Sequence, residues 1–171
     1  MVMINIVLHE PEMPANTGNI GRTCVATGSS LHLIEPLGFR INDKMLERAG
    51  LDYWPRLDVH YYNDINHFYE NISYGSSDAP RVFYATTKAQ HTYADVEYHD
   101  GDFIMFGKES AGIPEEILIQ HPGECIRIPM MPGERSLNLS NSVAIVLYEA
   151  LRQLKFPGLE DRGELHRLHW N

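Results

Sequence analysis

At 171 residues, with 43% apolar and 22% charged side chains, the chain suits one globular domain with a substantial core. That balance excludes disorder, and the lack of any run near about 18 apolar residues excludes a membrane-spanning helix. The net charge of −9 weighs against nucleic acid, yet 10 of the 14 basic residues are Arg, suited to forked phosphate contacts, so a local basic face is compatible with the acidic total.

The chain opens on "MVMINIVLHEPEMP". Its apolar run at 3–8 reads as a buried strand entering a loop; with no basic region or cleavage signature it is not a signal peptide. Asn16 or Thr17 is placed to cap a helix reaching about residue 27, stopped by Gly28. "LHLIE" at 31–35 is a second strand, "EPLGFRIND" a loop, and "DKMLERAG" a short helix ended by Gly50. Residues 57–62 suit a strand and "NDINHFYENI" a helix; "SYGSSDAP" is too short to divide domains. "RVFYATT" (81–87) and "DFIMFG" (102–107) read as buried strands, followed by a helix from about Pro114 to Gln120. "ECIRIPM" (124–130) is a further strand. A long amphipathic helix then carries Val143, Val146, Leu147, Ala150, Leu151 and Leu154, with Pro157 and Gly158 as its stop. The tail "EDRGELHRLHWN" is charged and weakly helical. Strands alternating with helices indicate an α/β domain, its largely parallel sheet covered on both faces by helices. Cys24 and Cys125 lack metal-type spacing and read as free thiols of a reducing cytoplasm.

Three polar, Gly-containing loops follow apolar strands: "PANTGNIGR", "FGKESAGIP" and "IPMMPGERSLNLSNS". In an open α/β sheet such loops meet beyond the carboxyl ends of the strands, where ligands bind. The first is neither a phosphate loop, lacking Gly-Lys-Ser/Thr, nor a dinucleotide fingerprint, lacking a further glycine. Each also has a plain reading: Asn16 as a cap, Arg22 and Glu109 as solvated charges, Gly107 and Gly112 as turn formers. Ser136, Asn138, Ser140, Asn141 and Ser142 exceed what one helix cap uses, and equally suit recognition of a polar small molecule. Composition alone leaves these open.

Taken together and in order, the three loops resemble the signature motifs of the SPOUT class of RNA methyltransferases. The likeness extends through "EPLGF", "DK", "AGLDY" and "ATTK", covers about residues 4–157, and is nearest the small YibK/TrmL group. The resemblance implies S-adenosylmethionine-dependent methylation of the wobble ribose 2′-hydroxyl in the tRNA anticodon stem-loop. It also implies a C-terminal segment threaded into a trefoil knot, a cytoplasmic homodimer, and no membrane or DNA partner. Residues 1–158 would form the domain and 159–171 an appended tail. Other targets, a different tRNA site or ribosomal RNA, and a non-catalytic RNA-binding knot protein are the alternatives.

By the same resemblance Gly107, Ile128, Ser136 and Leu137 line the cofactor pocket, with Ala85 beneath them. Ser136 and Asn138 face the reacting centre, and Ser140 to Ser142 cap the long helix. The arginine matching Arg22 is central in that class and is described as activating the hydroxyl. Because a guanidinium does not act as a base in proteins, Arg22 is expected to stay cationic, orient the ribose hydroxyl or its neighbouring phosphate, and stabilise developing alkoxide charge. Tyr148 is a candidate proton acceptor or, as readily, a packing aromatic. Glu109 holds Arg22 or the cofactor amino group, and Asn16 fixes the first loop against Ser136 or substrate. Lys108 stands where relatives commonly have proline, its charge offsetting Ala111 where they have arginine. His9, where tyrosine is usual, is expected to be a satisfied packing histidine. Arg162, His166, Arg167, His169 and Trp170 of the tail are candidates to stack on or track RNA, against a plain disordered terminus.

Overall fold

The computed structural model describes residues 4–40 and 52–170. Seven strands form one sheet in the order β3-β2-β1-β6-β4-β7-β5. They are β1 (Asn5–His9), β2 (Ser30–Ile34), β3 (Val59–Tyr62), β4 (Val82–Ala85), β5 (His91–Thr92), β6 (Phe103–Phe106) and β7 (Cys125–Arg127). Every pairing between them is parallel. The helices are α1 (Pro14–Thr27), α2 (Ile65–Asn71), α3 (Glu115–Leu118) and α4 (Leu139–Gln153), with a 3-10 turn at Trp54–Arg56.

Continuous apolar strands arise because successive side chains point to opposite faces and both faces are covered. Ile6, Leu8, Leu31, Leu33, Ile104 and Phe106 pack with Ile20 and Cys24 of α1 and with Val143, Val146 and Leu147 of α4. Their neighbours Val7, Ile34, Tyr62, Phe103 and Met105 pack on the other face with Phe68 of α2 and Leu118 of α3. The expected two-sided α/β sheet is what the chain forms.

Helix ends differ from the sequence reading in instructive ways. α1 starts at Pro14, whose fixed φ suits a first helical position, and Met13 stands at the cap without a side-chain bond; Asn16 and Thr17 lie inside the helix. Gly28 ends it as expected, at φ 70, its N–H on the Cys24 carbonyl. α4 is capped by Asn138, not by Ser140 to Ser142. It ends at Gln153, short of Pro157, as Lys155 and Phe156 take left-handed backbone at φ 64 and 49. Residues 159–170 contain no helix. Two-residue β5 and the 3-10 turn carry no apolar period and went unread. The helix expected in "DKMLERAG" lies outside the described residues.

Behind the sheet edge a polar chain crosses three strands. Asn5 Nδ2 donates to the Gly101 and Asp102 carbonyls at 3.0 and 3.3 Å, so its Oδ1 accepts from Ser30 Oγ at 2.6 Å. Ser30 Oγ must then accept from His32 Nε2 at 2.9 Å, leaving His32 Nδ1 to accept from the Tyr62 hydroxyl at 2.8 Å. His32 is 5% exposed, and burial, helped by neighbouring His60 and opposed by Asp58, pulls its pKa down to about 3. In the unfolded chain the imidazole takes a proton near pH 6.5, while the folded chain does not until near pH 3. The contribution is therefore full above about pH 6.5 and lost as pH falls toward 3, at about 1.4 kcal/mol per unit. Urea unfolding at pH 6.5 and 5.0 is expected to show a loss of about 2 kcal/mol from this residue. The loss should be absent in His32→Asn and should therefore appear as the pH-dependent difference between wild type and that variant.

Candidate functional site

Strand register decides where the loops emerge. Leu8 and Ala85 both pair with Phe106, and Ala85 also pairs with Ile126, so β1, β6, β4 and β7 end level with one another. The three loops therefore leave a single sheet edge, around a cavity of about 690 Å³. That volume is typical of a small-molecule or cofactor pocket.

Ala85, Gly107, Ile128, Ser136 and Leu137, the expected cofactor residues, all line this cavity, as do Asn16, Glu109 and Asn138. Arg22 and Tyr148 do not. Arg22 stands on the exposed side of α1 with its guanidinium over the Tyr53 ring, 4.7 Å from the centroid, while the Tyr53 hydroxyl donates to the Gly18 carbonyl. Tyr148 is 46% exposed on the outer side of α4. Within one chain, then, the central cation of the expected mechanism lies outside the pocket it serves.

Gly107 makes the close loop possible. A Cβ there would lie 2.0 Å from the Gly112 carbonyl carbon and 2.1 Å from the Ile113 nitrogen. The turn is closed by the Gly112 N–H on the Lys108 carbonyl at 2.8 Å, with Gly112 at φ 73.

Reciprocal carboxylates lock this loop to the first one. Glu109 accepts from the backbone N–H groups of Glu12 and Met13 at 2.9 and 3.3 Å and from Asn16 Nδ2 at 2.8 Å. Glu12 in turn accepts from Ser110 N and Oγ at 2.9 and 2.8 Å, bonds that hold its carboxyl below the usual range. Glu109 is thus a clamp on the first loop, where a partner for Arg22 or for the cofactor amino group was expected; Arg22 is not among these partners. With Asn16 Nδ2 committed to Glu109, its Oδ1 accepts from Asn138 Nδ2 at 3.1 Å, so Asn16 meets Asn138 in place of Ser136. Asn138 Oδ1 then caps α4 through Ser140 and Asn141 N–H groups at 2.9 and 3.4 Å. Of the surplus polar side chains before α4, Asn138 joins the third loop to the pair held by Glu109 and Glu12, so the three loops form one unit.

Asn138 variants separate its two bonds. Asn138→Ala should cost about 1 kcal/mol in urea unfolding through the lost cap. Asn138→Asp keeps the cap acceptor and should unfold within about 0.5 kcal/mol of wild type. It opposes a carboxylate to Asn16 Oδ1, however, so any ligand-dependent activity of the pocket should fall in both variants.

Sequence reasoning missed much of the rim. Lys88, Lys108, Arg127 and Arg135 line the cavity. Lys88 pairs with Glu115 at 3.0 Å and Lys108 with Glu10 at 2.8 Å, so the Lys108 charge is already compensated. Arg127 and Arg135 have no ion pair among the described residues. The sequence singles out Lys108 but not Lys88, Arg127 or Arg135, although these lie in the quoted "ATTK", "ECIRIPM" and third loop. His9 is buried, but its Nδ1 finds no partner among the described residues, contrary to the satisfied role expected of it, and burial pulls its pKa down. Thr17 Oγ1 is likewise unpartnered among them. Among the described residues no cluster of side chains suits a metal ion, and no helix is long and apolar enough to cross a membrane.

The arrangement suits a cofactor with an apolar ring and a polar tail. Ala85, Phe106, Ile126, Ile128, Leu137 and Val146 supply an apolar wall, and the glycine loop brings backbone polar groups close.

Comparison with known proteins agrees with this geometry. Residues 3–148 match the SpoU rRNA Methylase family. The tRNA (cytidine(34)-2′-O)-methyltransferase of Escherichia coli K12 is 51% identical over 157 residues, covering 91% of this chain and 97% of that protein. A solved structure described as giving insights into 2-OH methylation of C/U34 on tRNA superposes with a TM-score of 0.82 at 42% identity, over 90% of this chain and 97% of that one. An AdoMet-bound rRNA methyltransferase from Sinorhizobium meliloti superposes with a TM-score of 0.74 at 26% identity, over 89% of this chain and 57% of that one.

Proposed function

This chain belongs to the SpoU rRNA methylase family, and from that premise we infer that it methylates the ribose 2′-hydroxyl of the tRNA wobble nucleotide, position 34, using S-adenosylmethionine. The observation that carries the reading is the convergence of three wired loops on one cavity, with a lining position at 107 that only glycine fits. Ala85, Gly107, Ile128, Ser136 and Leu137 would hold the cofactor, largely through backbone groups and apolar contact. Bound there, S-adenosylmethionine supplies a methyl group on a sulfonium.

The residues of the chain then have position and charge to provide. Asn16, Glu109 and Asn138 keep the three loops in register and would so fix the walls that orient cofactor and ribose relative to each other. The Arg22 guanidinium orients the hydroxyl and stabilises negative charge growing on its oxygen. Ser136 faces the reacting centre, and Tyr148, which lies outside its own chain's cavity and can take up a proton only as phenolate, is the candidate acceptor of the hydroxyl proton. Arg127 and Arg135 at the rim give a locally cationic approach for phosphate on an acidic protein.

Arg22 reaches a pocket if the protein is a homodimer. Met13, Leu137, Ile145 and Tyr148 are exposed apolar or aromatic side chains at the start of α1 and around α4, helices that pack beside each other. Such a patch suits burial against a second copy. That copy's Arg22 would complete the site across the interface. The C-terminal threading typical of the class, a cytoplasmic location, and the division into a domain at 1–158 and a tail at 159–171 belong to the same reading. In the tail, Trp170 Nε1 donates to the Gly163 carbonyl at 3.1 Å.

Incubation with methyl-labelled S-adenosylmethionine and total tRNA, followed by nucleoside mass spectrometry of anticodon fragments, tests the reading. Ribose-methylated cytidine or uridine at the wobble position is expected. Label elsewhere in the RNA, or none, would refute it.

A further inference from the structure

We propose that the groove beyond the C-terminal ends of β2 and β3 is a second RNA subsite, which stacks an unpaired nucleobase flanking the methylated nucleotide. The proposal rests on the tRNA reading above and adds to it a separate point of substrate contact.

The groove is lined by Glu35, Pro36, Leu37, Phe39, Arg40 and Tyr61 around a cavity of about 520 Å³. Tyr61 stands on edge strand β3 and is 45% exposed, a large aromatic with one side open to solvent. Partial burial raises its hydroxyl pKa, so the ring is neutral and sets no negative charge against phosphate. Arg40 is exposed and has no ion pair among the described residues. Glu35 offers the acceptor that an exocyclic base amine requires. A ring, a guanidinium and a lone carboxylate together suit a single-stranded nucleotide: base on the ring, phosphate on the cation, amine on the acid.

Its position is fixed relative to the main pocket. The Gly38 N–H donates to the Pro11 carbonyl at 2.9 Å, and a Cβ on Gly38 would lie 2.8 Å from Glu12 Cα. The loop at 35–38 is therefore seated on the backbone segment that Glu109 grips. β3 is three places from β6 in the sheet. At the usual strand spacing that separates groove and pocket by about 14 Å along one edge. A single strand with its target ribose in the pocket can reach the groove a few nucleotides away.

The test compares wild type with Tyr61→Ala, Tyr61→Phe and Arg40→Ala, measuring tRNA dissociation constants over a salt series, initial rates, and S-adenosylmethionine binding by calorimetry. Tyr61→Ala should weaken tRNA binding and raise its KM about tenfold, with kcat at saturating tRNA and cofactor affinity unchanged. Tyr61→Phe should bind as wild type. Arg40→Ala should weaken binding and reduce the salt slope by about 1. Wild-type tRNA affinity in both Tyr61→Ala and Arg40→Ala overturns the proposal and leaves the groove to a protein or small molecule. A kcat loss or cofactor loss in Tyr61→Ala overturns it too, in favour of a structural role. RNA affinity is read without turnover, so absence of methyl transfer by the wild type would refute the catalytic reading separately.

Discussion

Replacing Arg22 by alanine is expected to lower methyl transfer to tRNA by about two to three orders of magnitude, with S-adenosylmethionine affinity unchanged. The split follows from geometry. Arg22 is absent from the lining of its own chain's cavity, so cofactor binding has no use for it. The charge that grows on the ribose oxygen, by contrast, needs a fixed cation, and removing one preorganised donor typically costs that much. In unfolding the substitution removes the guanidinium's contact with Tyr53. The guanidinium lies on an exposed helix face, and its contact with the Tyr53 ring at 4.7 Å is worth at most about 1 kcal/mol at such a site. Arg22→Lys keeps the charge without the planar fork and should recover only part of the rate. Single-turnover rates beside cofactor calorimetry check both halves; near wild-type turnover in Arg22→Ala would remove the residue from the mechanism.

Gly107→Ala is expected to do the reverse, abolishing cofactor binding first. The new methyl would lie 2.0 and 2.1 Å from backbone atoms of Gly112 and Ile113, and backbone does not swing aside as a side-chain end does. The loop must shift, at a cost of about 1–3 kcal/mol in stability. With it moves Glu109, which holds Glu12, Met13 and Asn16, so the first loop loses its anchor as well. S-adenosylmethionine affinity should fall by about two orders of magnitude, the scale expected when a close-fitting site is displaced by roughly 1 Å. Gly112→Ala, strained at φ 73 but with open space around it, should lose stability with a smaller loss of affinity. Equal affinity losses in the two variants would contradict the close approach at Gly107.

Much of this was legible in the chain. Strands buried on both faces leave unbroken apolar runs, which is why β1, β4 and β6 were readable to within a few residues. The three loops were legible as polar, glycine-containing breaks after such runs. What escaped were relations between distant positions. Glu12 and Ser110 are 98 residues apart, and Asn16 and Asn138 are 122 apart, so no local pattern announces either bond. Ser140 is expected as a cap; in the structure Asn138, which also lines the cavity, makes the cap and Ser140 donates to it. The helix at 139–153 stopped early because Lys155 and Phe156 turn left-handed, the Phe156 N–H closing on the Leu151 carbonyl at 2.8 Å. Arg22 marks a different limit: it was expected at the reacting centre, and the fold of one chain sets it outside the cavity, over the Tyr53 ring.

The central claim is that the three-loop pocket of one subunit is completed by the guanidinium of another. Mixed dimers test it most directly: Arg22→Ala and Gly107→Ala chains, each inactive alone, are co-expressed with different affinity tags and the doubly tagged species purified. A randomly mixed population should recover about a quarter of wild-type transfer, because half its dimers are mixed and each of those holds one intact site of two. The purified mixed dimer should recover about half. Mixed dimers as inactive as the single variants would contradict the account and return Arg22 to a role within its own subunit.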